Sequence, residues 1–211
     1  MRLILASASP RRRELLAMLG LAFEVIPARG DEVAAQGSPA ETVKSIALGK
    51  AREVWAREVW ARENQANSQA DVLVIAADTL VFSEGGALGK PRDALDAADM
   101  LARLSGREHE VYTGFAVLGK SGRETREVAR YERTVVRFRE LRDDEIAAYV
   151  ATGEPLDKAG AYGAQGLGAL FIERLDGDFF NVMGLPLCAL AAVLRDEFNF
   201  NVLTESLKGF Q

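Results

Sequence analysis

The chain has 211 residues, of which 48% are hydrophobic and 27% are charged, a balance typical of a globular protein with an ample core. Its formal net charge of -5 argues against a general nucleic-acid binder, because such proteins are usually basic. One cysteine and one histidine exclude an internal disulfide, a multi-cysteine metal site and a histidine-rich zinc site. The sequence has no apolar run of membrane-spanning length and no signal-peptide pattern in its first residues, so we expect a protein of the cytoplasm that binds no membrane.

Hydrophobic periodicity predicts that strands and helices alternate along the first half of the chain. An apolar run at 2–6 is typical of a buried strand, and the helix after it ends at Gly20. The pattern then predicts, in chain order, a strand at 23–28, a helix at 38–55, a strand at 70–82 and a helix at 92–106.

The second half of the chain predicts hairpins between helices. Two long strands are expected within 109–141, followed by a helix at 143–153. A second hairpin is predicted at 169–184, with Asp176-Gly177 as its turn, before a last helix at 185–198. This mixture indicates an α/β fold with a mixed sheet. No linker is long enough to separate independent domains, so we predict one domain.

A tandem copy of AREVW occupies 51–55 and 56–60. A five-residue step leaves the second copy about 140° around the helix from the first, so Trp60 cannot share the stripe of Trp55. We interpret the repeat as a duplication that lengthens an exposed helix end. The alternative places Trp60 in a subunit contact, and a homodimer is left open.

Three consecutive arginines follow Ser9 and Pro10, which suit the cap and the first position of a helix. A helix N-terminus disfavours cations and stabilises anions, so the run is either a solvated helix end or part of an anion site. A strand, a small-residue loop and a helix N-terminus suit phosphate binding, and guanidinium groups match phosphate oxygens. We therefore predict that Arg11 and Arg12 bind a polyphosphate and that Arg13 points away.

Asp78 interrupts the apolar run at 70–82, where a buried charge would be costly. At the carboxyl end of a strand it would open onto the edge where α/β proteins bind ligands, as a metal ligand or as a base for water. A helix or turn cap is the alternative. Lys90 lies in "LGKPRD" just before a helix, but this stretch lacks the P-loop pattern.

The glycine-rich segment 159–170 lacks the dinucleotide-binding pattern. It is either a turn-rich connector or a place where the backbone approaches a ligand closely. The amide of Gln165 offers a donor and an acceptor, which suit the edge of a base. We interpret His109 and Cys188 as structural, with Cys188 in the core.

The motifs "LASASPRRRELL", "AADTLV", "GKPRDALDAADML", "LSGREHEVYTG" and "EPLDKAGAYGAQGLGALFIERLDGDFFNVMGLPL" together resemble the Maf family, from about residue 3 to residue 195. Their combination and order are specific, although each alone is not. The resemblance implies a nucleoside triphosphate pyrophosphatase, which releases pyrophosphate and a monophosphate with a divalent metal, Mg²⁺ or Mn²⁺. It also implies a single domain at 1–211: an elongated mixed sheet flanked by helices, with two lobes and a cleft, related to the fold of the inosine triphosphate pyrophosphatases.

The resemblance also implies roles for individual residues. Asp78 would be the proton acceptor and a metal ligand, and Glu32 would help to hold the metal. The branch of the family that prefers dTTP and UTP carries residues matched here by Arg11, Thr79 and Gln165. The other residues implied to bind the substrate or to lie beside its phosphates are Ser9, Arg12, Lys50 and Lys90.

An enzyme of this kind would remove surplus or unwanted nucleotides before a polymerase incorporates them. Two alternatives stay open at this point. One is a nucleotide-binding regulator of cell division that has no turnover, and the other is a phosphatase that uses the same site.

Overall fold

The computed structural model describes residues 1–30, 37–63, 72–84, 86–121 and 124–208, with the backbone alone at 59–63, 121 and 208. Among these residues there are seven strands: β1 (Arg2–Leu5), β2 (Glu24–Val25), β3 (Val72–Ser83), β4 (Gly86–Leu88), β5 (Glu108–Ser121), β6 (Glu124–Phe138) and β7 (Ile172–Asp176). The α-helices are α1 (Pro10–Ala17), α2 (Pro39–Glu63), α3 (Ala94–Leu104), α4 (Asp143–Ala151), α5 (Phe179–Met183), α6 (Leu187–Phe198) and α7 (Val202–Lys208). Short 3₁₀ turns lie at Glu154–Asp157, Ala159–Ala161 and Gly166–Phe171.

All seven strands form one mixed sheet in the order β2-β1-β3-β5-β6-β7, with β4 paired to β3 beside this path. β1 runs parallel to β2 and β3, and the remaining pairs are antiparallel. This arrangement, with helices against the sheet, confirms the predicted fold class. The single-domain organisation stays a prediction. No helix in the described ranges has the length and hydropathy that crossing a membrane requires.

Alternate residues of β3 and β5 divide the core between the two faces of the sheet, because successive side chains of a strand point to opposite sides. One face packs against α1 and α6 at one end and against α3 and α4 at the other. The opposite face packs against α2. The buried residues that α2 contributes follow its predicted stripe: Val43, Ile46, Ala47, Ala51 and Val54.

The predicted hairpin at 169–184 is wrong in its second half. β7 pairs with β6 as a strand should, but after Gly177 the chain forms the short helix α5. Asp178 begins this helix by accepting the backbone N–H of Phe180 at 2.7 Å, and Gly184 ends it in a left-handed conformation with φ of 112°. The Asp-Gly pair therefore precedes a helix cap rather than joining two strands.

The prediction that Cys188 lies in the core is also wrong, since this residue is exposed. Helix α6 buries the stripe formed by Leu187, Leu190 and Leu194. Cys188 follows Leu187 by one residue, which is about 100° around the helix and away from that stripe. The apolar run therefore predicted the position of the helix correctly, but it did not show which residues of the helix are buried.

His109 is structural, as predicted, and its burial has a consequence for stability. The ring is 2% exposed and makes edge contacts with the rings of Phe138 and Tyr162, and its Nε2 is 2.8 Å from the Tyr162 hydroxyl. Burial lowers the pKa of His109 from 6.5 to about 4. As the pH falls, His109 is therefore protonated in the unfolded chain before it is protonated in the folded protein. Protonation stabilises the unfolded chain, so the free energy of unfolding decreases as the pH falls from 6.5 towards 4.

We expect this one group to lower the free energy of unfolding by about 2 kcal/mol between pH 7 and pH 5. Urea unfolding of the wild type and of His109→Gln at both pH values measures the contribution. The variant should be less stable at pH 7 and should lose less stability on acidification. An equal loss in both proteins would remove His109 as the cause.

Candidate active site

A cavity of about 660 Å³ opens along one edge of β3, in the gap between two neighbouring strands. β1 ends with Leu5 opposite Ile75, and β4 pairs with β3 only from Val81 onwards. The other edge of β3 is paired with β5 over its whole middle part. The segment between Ile75 and Val81 therefore presents its free edge to the cavity, and both Asp78 and Thr79 line it.

Asp78 lies in the middle of β3, so the prediction that it ends a strand is wrong. The strand continues to Ser83 because its pairing with β5 extends to Phe82, well beyond the point where β1 stops. The carboxylate of Asp78 faces the cavity because the neighbouring strand β1 ends at Leu5, and not because β3 itself ends there. The side chain of Asp78 is 14% exposed.

Lys50 forms an ion pair with Asp78, with Nζ donating to Oδ1 at 2.8 Å. Lys50 comes from α2, which packs against the face of the sheet from which Asp78 projects. On β5, the residue paired with Asp78 of β3 is Gly114. A Cβ added to Gly114 would lie 2.3 Å from the carbonyl of Val43. Val43 and Lys50 are about two helical turns apart, so the close approach of α2 at Gly114 directs Lys50 towards Asp78.

The loop between β1 and α1 and the beginning of α1 form another part of the cavity wall. Ser9 caps α1 by accepting the backbone N–H of Arg12, and Pro10 occupies the first position of the helix. Ser9, Arg11 and Arg12 all line the cavity. Arg13 is exposed and is not among the lining residues, in agreement with the prediction that it points away.

Arg11 and Arg12 have different surroundings. The guanidinium of Arg12 donates through Nε to the Gly184 carbonyl at 2.8 Å and through Nη2 to Thr79 Oγ1 at 2.9 Å. Arg11 Nη2 lies 3.7 Å from Asp157 Oδ2, in an ion pair whose carboxylate is exposed to solvent. Arg12 is thus held by the fold, whereas Arg11 contacts a carboxylate that an incoming phosphate could replace.

Two lining residues, Asp157 and Lys158, were not singled out from the sequence. Lys158 Nζ donates to Asp157 Oδ1 at 2.7 Å, and its side chain is 13% exposed. Partial burial alone would raise the pKa of Asp157, but the hydrogen bond and charge of Lys158, with the charge of Arg11, hold it below its usual value. The sequence signal was a charged pair, "DK", directly before the glycine-rich segment.

Among the described residues that line the cavity, positive charges outnumber negative charges by three. Lys90, which is exposed and lies in the loop after β4, contributes one of these positive charges. The lining residues with positive charge are Arg11, Arg12, Lys50, Lys90 and Lys158, and those with negative charge are Asp78 and Asp157. Such a field attracts a compact, highly charged anion.

Gln165 is exposed and does not belong to the set of residues that line the cavity. The glycines near it have contacts within the protein. A Cβ on Gly166 would lie 2.8 Å from Glu154 Oε2, and one on Gly168 would lie 2.5 Å from the Gly163 carbonyl. The Glu154 carboxylate also accepts the backbone N–H of Gly168 at 3.2 Å. These contacts favour the turn-rich connector, because each glycine is required for the segment to pack on itself.

Glu32, the second predicted metal ligand, lies outside the described residues. Within the described ranges, no three or more histidine, cysteine, aspartate and glutamate side chains converge on a common point. Asp78 nevertheless offers carboxylate oxygens in the wall of a cavity that suits phosphate. One or two carboxylates together with substrate phosphates are the usual ligands of Mg²⁺, so the described residues fit such an ion.

Comparison with known proteins identifies the family of this chain. A family model described as Maf-like protein matches residues 2–197. The chain belongs to the Maf family. A dTTP/UTP pyrophosphatase of Moorella thermoacetica is 53% identical over 198 residues, covering 92% of this chain and 93% of the relative. One of Bacillus thuringiensis subsp. konkukian, with the same description, is 45% identical over 202 residues, covering 95% and 97%.

Among solved structures, that of the Staphylococcus aureus Ham1 protein matches this Maf chain with a TM-score of 0.38 and 12% identity, covering 80% of this chain and 78% of that one. The family match confirms the resemblance expected from the sequence motifs. In this Maf chain, the motif residues Ser9, Arg11, Arg12, Asp78, Thr79 and Lys90 line one cavity.

Proposed function

We propose that this protein is a nucleoside triphosphate pyrophosphatase that hydrolyses dTTP and UTP to the monophosphate and pyrophosphate. The observation that carries the proposal is the position of Asp78: a mostly buried carboxylate in the wall of a cavity where most of the other described charged residues are cations. The names of the curated relatives support the same reaction and the same substrates.

The cationic wall explains how a triphosphate would bind. Arg11 and Arg12 lie at the N-terminus of α1, where a bound anion stabilises both the guanidinium groups and the helix dipole. Lys90 and Lys158, which come from other parts of the chain, also line the cavity. The phosphates would supply the negative charge that balances this cluster of cations. A bound triphosphate would therefore explain why two arginines lie at a helix N-terminus, where cations are otherwise unfavourable.

Asp78 is placed to accept a proton from water. Lys50 Nζ donates to Oδ1, which fixes the orientation of the carboxylate and leaves Oδ2 as the oxygen that takes the proton. The water attacks the α-phosphorus, its new P–O bond replaces the bond to the β-phosphate, and pyrophosphate leaves with the electron pair. Arg11, Arg12 and Lys90 stabilise the charge that develops on the leaving group.

We also propose that a divalent cation, Mg²⁺ or Mn²⁺, takes part, held by Asp78 and by Glu32. When bound, such an ion neutralises phosphate charge and favours deprotonation of water. Nucleotides removed in this way would not reach a polymerase. This role places the protein in the cytoplasm, where it would need neither nucleic acid nor a membrane as a partner.

The products distinguish this function from its alternatives. Incubation with UTP and Mg²⁺, followed by ion-exchange chromatography, should give UMP and pyrophosphate in equal amounts. Orthophosphate with UDP would indicate a phosphatase, and binding of UTP without any product would indicate a regulator without turnover.

Base selection is a separate prediction that concerns Gln165. Uracil and thymine show an acceptor and an N–H donor on one edge, whereas cytosine has these positions exchanged, so a fixed amide would favour UTP and dTTP over CTP. Because the side chain of Gln165 is exposed, we expect the loss of its hydrogen bond to the base to cost an amount near the lower end of the usual range. Gln165→Leu should lower kcat/KM for UTP and dTTP about 5- to 10-fold.

The ratio of kcat/KM for UTP to that for CTP provides the internal control. It should fall in Gln165→Leu, because the variant loses the contact that distinguishes the two bases. An unchanged ratio would show that Gln165 does not read the base.

A further inference from the structure

A chain of hydrogen bonds runs from Arg12 at the cavity into the interior of the protein. Arg12 Nη2 lies 2.9 Å from Thr79 Oγ1, which lies 2.9 Å from Thr113 Oγ1, which in turn lies 2.8 Å from the carbonyl oxygen of Asn181. Thr113 and Asn181 are both fully buried, at 0% exposure. Thr113 is therefore a polar residue placed in the core, directly opposite Thr79 on the neighbouring strand.

The direction of every bond in this chain is fixed by the chemistry of its two ends. A carbonyl oxygen only accepts, so the Thr113 hydroxyl must donate its hydrogen to Asn181. Thr113 can then only accept from Thr79, and Thr79 must donate to it. The oxygen of Thr79 is thereby turned with a lone pair towards Arg12, whose guanidinium only donates.

The short helix α5 anchors Arg12 by two routes. The Gly184 carbonyl at its end accepts Arg12 Nε directly, and the Asn181 carbonyl acts through the two threonines. The Asn181 side chain holds the helix against the sheet by donating to the Val111 carbonyl at 3.0 Å. The backbone of α5 and the hydroxyl of Thr113, acting through Thr79, thus help to set the conformation of Arg12, together with a longer bond from Arg12 Nη1 to Ser7 Oγ at 3.4 Å.

We propose that Thr113 is a positioning residue for substrate binding: through Thr79, it holds the Arg12 guanidinium in the orientation that receives the phosphates. Thr113 is not among the residues that line the cavity, so it acts through its neighbour and not on the substrate. Its contribution to kinetics rests on the proposed function, while its effect on the Arg12 side chain does not.

The kinetic test compares two substitutions that differ by one hydroxyl. Thr113→Val keeps the shape and removes the hydroxyl. The Asn181 carbonyl then keeps only the backbone N–H of Gly184 as a donor, and Thr79 loses its acceptor. We expect KM for UTP to rise about 5- to 20-fold, with a smaller change in kcat. Thr113→Ser restores the hydroxyl and should stay within about threefold of the wild type.

Thr134→Val is the matched control for loss of a buried hydroxyl. Thr134 is also 0% exposed and bonds Asn181 Nδ2 at 2.8 Å and the Asp178 carbonyl at 3.0 Å, but it contacts neither Thr79 nor Arg12. Because Asp178 and Asn181 belong to the beginning of α5, this variant loosens that helix without removing a bond of Thr79 or Arg12. It should lose stability and raise KM clearly less than Thr113→Val does. A rise in KM equal to that of Thr113→Val, or failure of Thr113→Ser to restore KM, would overturn the proposal.

An NMR measurement tests the same inference without turnover. The Nη2–H resonance of Arg12, which belongs to the group that donates to Thr79, can be identified by its absence in Arg12→Lys, and its exchange rate with water reports how firmly the guanidinium is held. Thr113→Val should raise that rate at least about fivefold, while Thr113→Ser and Thr134→Val should not. An unchanged rate in Thr113→Val would contradict the positioning role even if the enzyme hydrolyses UTP. A raised rate would support that role even if UTP is not hydrolysed.

Discussion

Asp78→Asn is expected to lower kcat for UTP and dTTP by at least about 100-fold, as loss of a general base typically does. The amide keeps the shape of the carboxylate but cannot take a proton from water. It also replaces the ion pair with Lys50 by a contact between a cation and an uncharged amide, in a place where both side chains are mostly buried. Steady-state kinetics with a pyrophosphate-release assay measures the effect.

The control for this prediction has two parts. Urea unfolding should show that Asp78→Asn is folded, and Asp99→Asn, which removes an exposed carboxylate on α3, should keep wild-type turnover. Near-normal turnover in the Asp78 variant would remove this residue from the mechanism.

Arg11→Ala has the second largest expected effect. Arg11 lines the cavity and contacts only the exposed Asp157 among the ion pairs described here, so we expect its guanidinium to turn to the phosphates when substrate binds. A charge-assisted hydrogen bond lost from the complex corresponds to a rise in KM of about 10- to 100-fold. Stability should be unchanged or slightly higher, since the helix dipole no longer opposes this charge.

Arg13→Ala is the matched control, because it removes the same charge from the same turn of α1 at an exposed position outside the cavity. Its KM should stay within about twofold of the wild type, as is usual for exposed charges. Equal effects of the two substitutions would show that only the overall charge matters. Unfolding of Arg11→Ala with unchanged kinetics would show that Arg11 is structural.

The sequence was informative where function depends on local chemistry. Ser9 and Pro10 identified the beginning of α1. The unfavourable charge at that position predicted an anion site, and Arg11 and Arg12 line the cavity. The buried stripe of α2 followed from periodicity, and Lys50 lies on that helix one turn beyond Ile46 and Ala47. Residue type and spacing determine these features, so they can be inferred without knowledge of the fold.

The sequence was less informative where a position depends on neighbouring strands. Asp78 opens to the cavity because β1 ends early, and nothing in the segment 70–82 records where its neighbour ends. The polar chain through Thr113 and Asn181 joins residues 68 positions apart. Asn181 belongs to α5, which was predicted as a strand, so its role depended on an element that the pattern misassigned.

The central claim is that water attacks the α-phosphorus of a triphosphate bound beside Asp78. Hydrolysis of UTP in water enriched in oxygen-18, followed by mass spectrometry of both products, tests it most directly. The account predicts one labelled oxygen in UMP and none in pyrophosphate. Label in pyrophosphate with unlabelled UMP would mean attack at the β-phosphorus, and label in orthophosphate would mean attack at the γ-phosphorus; either result would contradict the proposed reaction.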